Sequence, residues 1–156
     1  MKNKEVEVIS WFDRPEWFEI GFQNETKKEA DFFEAAFKKY CDFPVKRLLE
    51  PACGSGRIVT EMAARGYDMT GFDLSEPSLE FLRERLKKRR LKATVVNADM
   101  TRFKFPGKFD SAFCTYNSFR VLTNEFASDP QRGHVTLSSG QRIHLAYSKA
   151  LSGSPK

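Results

Sequence analysis

Hydrophobic and polar positions follow two recurring patterns along this chain. Short apolar runs with the length of buried strands lie at residues 45–49, 67–73, 92–98 and 109–114. Residues 57–65 and 76–90 instead carry apolar side chains at the spacing of amphipathic helices. Because strands and helices take turns along the chain, the pattern predicts a parallel sheet of the α/β class.

A helix is also predicted before the first strand. Thr26 and Glu29 form a capping-box pattern, so the helix should start at Thr26, and Pro44 should end it near Cys41. Residues 10–22, which precede it, are dense in aromatic side chains. These aromatic residues either pack on the sheet or line a lid over a ligand.

The pattern is weaker toward the C-terminus. Residues 127–140 contain proline, glycine and neighbouring serines, and are predicted to form a loop. Apolar side chains then recur at helical spacing, which predicts a helix over residues 143–151 that Gly153 would end.

Composition indicates a globular, soluble and cytoplasmic protein. The 156 residues predict a single domain, with an aromatic cap and helix in residues 1–44, a core in residues 45–122 and a tail in residues 123–156. No apolar run approaches the ~20 residues of a membrane span, and the N-terminus lacks the apolar core of a signal peptide. Three cysteines without metal-ligand spacing indicate reduced thiols and no metal site.

A cluster of cations accounts for much of the net charge of +5. Residues 87–90 are Lys-Lys-Arg-Arg and lie at the end of a predicted helix. A solvated helix C-terminus explains this run better than a nucleic-acid surface does, because cations there complement the helix dipole.

The most informative stretch is the glycine turn, residues 52–56, which joins the first strand to the following helix. Gly54 and Gly56 allow a sharp turn and a close ligand approach, and the helix behind them offers free N–H groups. Such a strand–turn–helix unit is typical of nucleotide-binding sheets. The third glycine of a dinucleotide fingerprint is replaced by Val59, which disfavours an NAD-dependent oxidoreductase.

Carboxylates end three successive strands. Glu50, Asp73 and Asp99 are separated by 23 and 26 residues, and in a parallel sheet they meet at the carboxyl edge, where ligands bind. Asp73 is predicted to accept hydrogen bonds from ribose hydroxyls. A helix N-cap role for Asp73 is the alternative, but Ser75 followed by Pro77 already supplies a helix start.

These motifs resemble those of class I S-adenosylmethionine (SAM)-dependent methyltransferases of the small-molecule type. The chain carries E-x-A-x-G-x-G from Glu50, in which Ala52 replaces the first glycine of the family, and N-S-F from Asn117. The resemblance covers about residues 10–125 and implies a three-layer Rossmann-like sheet with strand order 3-2-1-4. No stretch remains for the family's strands five to seven, so we expect a truncated or altered chain, or a fold completed by a partner. The open edge of the fourth strand is then a candidate surface for self-association.

The resemblance also implies a site. Asp99 and Met100 stand where the family holds adenine, and an aromatic N-terminal segment covers the cofactor in such enzymes. The predicted residues for binding SAM, or its product S-adenosylhomocysteine (SAH), are Glu50, Ala52, Cys53, Gly54, Ser55, Gly56, Asp73, Leu74, Asp99, Met100 and Cys114. The predicted substrate-side residues are Trp17, Tyr116 and Asn117, and for Asn117 a structural role in a helix-start turn is equally open.

The implied activity is SAM-dependent methyl transfer to a small-molecule nucleophile. No membrane partner is expected. A non-catalytic SAM-binding or interaction fragment is the alternative, and an NAD-dependent oxidoreductase is disfavoured.

Overall fold

The computed structural model describes residues 14–100, 103–115, 118, 134–136 and 142–144, with backbone alone for residues 18, 23, 134–136 and 142–144. The helices are α1 (Pro15–Phe22), α2 (Thr26–Tyr40), α3 (Arg57–Ala64) and α4 (Glu76–Lys88). The strands are β1 (Arg47–Pro51), β2 (Asp68–Asp73), β3 (Thr94–Asn97), β4 (Ser111–Ala112), β5 (His134–Thr136) and β6 (Arg142–His144).

The first four strands form a parallel sheet in the order β3-β2-β1-β4, which confirms the predicted topology. The central strand β1 is the most deeply buried, and Leu48 and Leu49 have no exposed surface. β4 is only two residues long, shorter than predicted. Its position is fixed by Asp110, whose Oδ2 accepts hydrogen bonds from the backbone N–H groups of Lys46 and Arg47, each at 2.8 Å.

The two faces of the sheet are covered differently within the described residues. Helices α2, α3 and α4 pack on one face, around Leu48 and Met69. Aromatic side chains cover the other face, where Phe72 packs on Phe103 and Phe105 at ring-centroid distances of 4.6 and 5.2 Å. Among the described residues, this second face is covered by a loop cluster.

The start of α2 differs from the predicted capping box. Glu25 holds the N-cap position without a side-chain cap, because a 3-10 turn runs directly into the helix. Thr26 Oγ1 instead accepts a hydrogen bond from Arg57 Nη1 at 3.0 Å, and Glu29 pairs with Arg57 Nη2. The two residues of the motif thus hold a buried arginine of α3 rather than the end of their own helix.

The C-terminal predictions are also corrected. β5 and β6 pair as an antiparallel hairpin, so residues 134–136 are not loop and residues 143–144 are not helix. The pattern misled because alternation over three residues is too short to distinguish from a helical repeat. The remainder of the predicted helix lies outside the described residues.

The outer edge of β4 pairs with no strand of the described part of the chain, so self-association through it stays a prediction. Among the described residues, no helix combines the length and apolarity needed to cross a membrane.

Candidate functional site

The glycine turn adopts a left-handed backbone that only small residues tolerate well. Gly54 has φ +51° and Gly56 has φ +70°. A Cβ on Gly56 would lie 2.1 Å from Leu82 Cδ1, so this glycine lets α4 pack against the turn. A Cβ on Gly54 would meet no described atom within 4 Å, so the space beside Gly54 is open to a ligand. Ala52 also has a positive φ, +52°, which explains why the family has glycine there.

Helix α3 packs closely against the sheet, but the small residue that allows this lies at a different position from the third glycine of the dinucleotide fingerprint. Val59, which replaces the third glycine, is fully buried. It faces Gly71 of β2, where a Cβ would lie only 2.7 Å from Val59 Cγ2 and 3.0 Å from Cys53 Sγ. The small residue at this helix–strand contact is therefore on the strand rather than on the helix.

Asp73, at the end of β2, holds the glycine turn in place. Its Oδ2 accepts a hydrogen bond from the Gly54 N–H at 2.8 Å, and its Oδ1 accepts one from the Ser75 N–H at 2.9 Å. Ser75 caps α4 by accepting a hydrogen bond from the Ser78 N–H, as predicted. A carboxylate has about four acceptor positions, so both oxygens of Asp73 retain capacity for a ligand.

Glu50 is in a very different environment, although it also lies at a strand end. Its exposed fraction is 1%. Oε1 accepts a hydrogen bond from Thr115 Oγ1 at 3.1 Å, whereas Oε2 has no hydrogen-bond partner among the described residues. Burial raises the pKa of Glu50 to about 8, against the opposing effects of Thr115 and of the Arg57 charge. Glu50 is therefore mostly protonated at neutral pH.

The strand register staggers the three carboxylates along the carboxyl edge. Glu50 pairs with Gly71, two residues before Asp73, and Asp73 pairs with Asn97, two residues before Asp99. A two-residue step at strand spacing places successive carboxylates roughly 8 Å apart. The Ala98 N–H donates to the Asp73 carbonyl at 3.1 Å, which keeps the chain beyond β3 beside β2. The edge therefore offers an elongated row of acceptors.

The remaining predicted residues occupy several environments around this row. Leu74 is 65% exposed beside Asp73. Met100 packs against the aromatic cluster of the sheet. Cys53 is buried, and burial together with the Glu50 and Asp73 charges raises the pKa of its thiol. Cys114 is half-buried just after β4.

Trp17 lies on α1 and is 45% exposed, and its place on the substrate side stays a prediction. Tyr116 and Asn117 lie outside the described residues. Within the described part of the chain, no group of three histidine, cysteine or acidic side chains could hold a metal ion.

Helix α1 reaches the glycine turn through a contact that the sequence did not predict. Ser55 Oγ donates a hydrogen bond to Glu19 Oε1 at 2.8 Å. Glu19 Oε2 pairs with Arg85 Nη2 at 2.5 Å, and Arg85 Nη1 donates to the Ser55 carbonyl at 3.3 Å. The Ser55 hydroxyl thus donates its hydrogen bond to α1.

Comparison with known proteins agrees with this geometry. Residues 48–129 match the family model described as a methyltransferase domain. A ubiquinone biosynthesis O-methyltransferase from Dechloromonas aromatica (strain RCB) is 34% identical over an alignment of 116 residues. The alignment covers 69% of this chain and 50% of the relative.

Two solved structures share the fold. The sugar N-methyltransferase KedS8 from Streptoalloteichus sp superposes with a TM-score of 0.63 at 21% identity, over 83% of this chain and 48% of that one. SAM-bound CalS10, an amino pentose methyltransferase from Micromonospora echinaspora, gives a TM-score of 0.55 at 23% identity, over 77% and 48%.

This chain spans about half the length of these relatives. The family resemblance seen in the sequence is confirmed, since the matched segment contains all but the first residue of β1, the glycine turn and all three strand-end carboxylates. The chain belongs to the methyltransferase domain family and has the Rossmann-like fold of SAM-dependent methyltransferases.

Proposed function

We propose that this chain binds SAM at the carboxyl edge of its parallel sheet and supports methyl transfer from SAM to a small-molecule nucleophile. One observation carries the proposal: the end of β1 carries a buried carboxylate that lacks a full set of hydrogen bonds, and an open glycine turn follows it along the chain. Glu50 Oε2 has no partner among the described residues, and a Cβ on Gly54 would meet nothing within 4 Å.

SAM has the chemistry that this arrangement lacks. A buried acceptor without a donor is costly, by roughly 1–3 kcal/mol and more when it is charged. SAM carries two cationic groups, an ammonium and a sulfonium, and a cation beside Glu50 would favour its ionised form. Its ribose diol suits Asp73, and the flat adenine suits the apolar surface of Leu74 and Met100.

The reaction needs orientation more than an elaborate set of catalytic groups. The nucleophile's lone pair attacks the methyl carbon as the carbon–sulfur bond breaks, its electron pair stays on sulfur, and SAH leaves. The nucleophile's proton passes to water or to a base. The chain's part is to hold the sulfonium in line and to exclude water from it. Trp17, Tyr116 and Asn117 are proposed on the substrate side, where we expect a small amine or hydroxyl.

Two glycines provide a matched test of the cofactor site. Gly54 and Gly66 both have a positive φ, +51° and +95°, and a Cβ on either would meet nothing within 4 Å. Gly54 lies in the glycine turn, whereas Gly66 follows α3 at the opposite edge of the sheet. Replacing either by alanine adds backbone strain, but only Gly54→Ala puts a methyl group where we place the cofactor.

We expect both variants to melt at a lower temperature and only Gly54→Ala to lose at least tenfold in SAH affinity by calorimetry. Wild-type protein should bind SAH and SAM and should not bind NAD. Binding of NAD in preference to SAH, or equal SAH affinity in the two variants, would overturn the assignment of the site.

Turnover distinguishes the enzyme from the alternative, a SAM-binding fragment without catalytic activity. A panel of small amines and hydroxyl compounds is incubated with the protein and SAM bearing a labelled methyl group. Transfer of the label establishes an enzyme, whereas tight SAH binding without transfer to any acceptor favours the fragment. We expect weak turnover from this chain by itself, since its relatives are about twice as long.

A further inference from the structure

The three-residue cluster of Glu19, Ser55 and Arg85 links α1, the glycine turn and α4. Glu19 lies 36 residues before Ser55 in the sequence, and Arg85 lies 30 residues after it. The Glu19 and Arg85 side chains are each only 18% exposed. A charge pair of this kind is screened less by salt than a surface pair, because water reaches it poorly.

Glu19 contacts the middle of the glycine turn, at Ser55. Ser55 lies between the two left-handed glycines, and it is itself buried, with 3% exposure. Glu19 Oε1 accepts a hydrogen bond from the Ser55 hydroxyl, and Arg85 Nη1 donates one to the Ser55 carbonyl. The hydroxyl and the carbonyl of Ser55 are thereby both held by one ion pair.

We infer that Glu19 is a positioning residue for the cofactor: it fastens α1 to the glycine turn, and the Glu19–Ser55 and Glu19–Arg85 contacts keep the turn in the shape that binds SAM or SAH. The inference rests on the proposed function, since it assigns a role in retaining the ligand of that site. Glu19 takes part in no chemical step, and through Glu19 helix α1 supports the cofactor site.

The contact has a physical consequence for the rate of ligand exchange. With α1 fastened, the turn is bonded on its Asp73 side through Gly54 and on its α1 side through Ser55. Loss of either contact lets the turn leave the shape that holds the ligand. Loss of Glu19 should therefore raise the dissociation rate constant of SAH more than it lowers the association rate constant.

The test compares Glu19→Ala with Glu16→Ala, because Glu16 is an exposed carboxylate on the same helix. Stopped-flow displacement of SAH gives the dissociation rate constant of each variant. We expect about a tenfold increase for Glu19→Ala and less than a twofold change for Glu16→Ala. Glu19→Asp should recover most of the wild-type rate, since it keeps the charge beside Arg85.

A second measurement separates positioning from loss of structure. Hydrogen exchange in the ligand-free protein should become faster in α1 and in residues 53–56 of Glu19→Ala, with β1 and β2 unchanged. Ser55→Ala should raise the SAH dissociation rate as well, and the double variant should show less than the product of the two effects.

The outcomes distinguish this inference from the function it rests on. An SAH dissociation rate in Glu19→Ala equal to that of wild type, with wild type binding SAH, overturns the role of Glu19 and leaves the SAM site standing. A wild-type protein that binds no SAH overturns the proposed function and this inference with it.

Discussion

The ends of β1 and β2 each carry a carboxyl group, but the two groups differ in burial and in hydrogen bonding. Glu50 is buried, with one oxygen unpartnered among the described residues and a pKa raised to about 8. Asp73 is half-buried, and each of its oxygens accepts a backbone N–H. One carboxylate therefore stabilises the ligand-free turn, whereas the other destabilises the ligand-free protein whenever it is ionised.

The two carboxyl groups therefore have different roles at the same edge of the sheet. Asp73 fixes the shape of the glycine turn before any ligand arrives, which lowers the entropic cost of binding. Glu50 stores an unfavourable interaction that a cationic ligand can relieve. Strained or unsatisfied groups of this kind are expected where a site trades stability for binding.

The largest expected effect is the pH dependence that Glu50 gives to stability. Its pKa is higher in the folded chain, about 8, than its ordinary value of 4.5. The folded state therefore binds more protons than the unfolded state between these values, so stability falls as pH rises through this window, by up to about 1.4 kcal/mol per pH unit. Urea unfolding at pH 6 and pH 8.5 measures it.

Glu50→Gln is the matched control, because it keeps the shape and removes the titration. As pH rises, the unfolding free energy of wild type should fall relative to that of Glu50→Gln. SAH should bind the variant more weakly than it binds wild type. A pH-independent difference would mean that Glu50 has an ordinary pKa in the folded chain.

A smaller effect is expected at Asp73. Asp73→Ala removes the acceptors for two N–H groups and for the proposed ribose contact, and should weaken SAH binding by about 1–3 kcal/mol. The 2′-deoxy and 3′-deoxy analogues of SAH separate the two roles. If Asp73 contacts a ribose hydroxyl, Asp73→Ala should weaken the binding of SAH more than it weakens the binding of the analogue that lacks this hydroxyl. Equal penalties for SAH and both analogues would show that Asp73 acts only by holding the turn.

Local rules predicted the parts of this fold that depend on neighbours in sequence. The glycine turn and the Ser75 cap each follow from the conformational preferences of one or two residues. Strand order followed as well, because the family resemblance supplied it and buried apolar runs marked the strands. Strand lengths were less accurate, and β4 is much shorter than its apolar run.

Contacts between distant residues were missed, since no local pattern encodes them. Glu19 meets Ser55 across 36 residues, and Arg57 meets Glu29 across 28. Thr26 and Glu29 had the spacing of a capping box, yet a buried arginine competes for both side chains. The condition of Glu50 was equally hidden, because it depends on Thr115 and on the depth of β1.

The smallest effect is expected at Ala52, the residue that departs from the family's glycine pattern. Its φ of +52° costs an L-residue roughly 1–2 kcal/mol, whereas glycine there would lose ~0.5–1 kcal/mol through its freer unfolded state. Ala52→Gly should therefore stabilise the protein by at most about 1.5 kcal/mol in urea unfolding. Ala35→Gly, an identical change at an exposed position inside α2, should instead destabilise it by ~0.5–1 kcal/mol. Opposite signs for one chemical change would locate the strain in the turn, and a loss of stability in both variants would show that Ala52 sits there without strain.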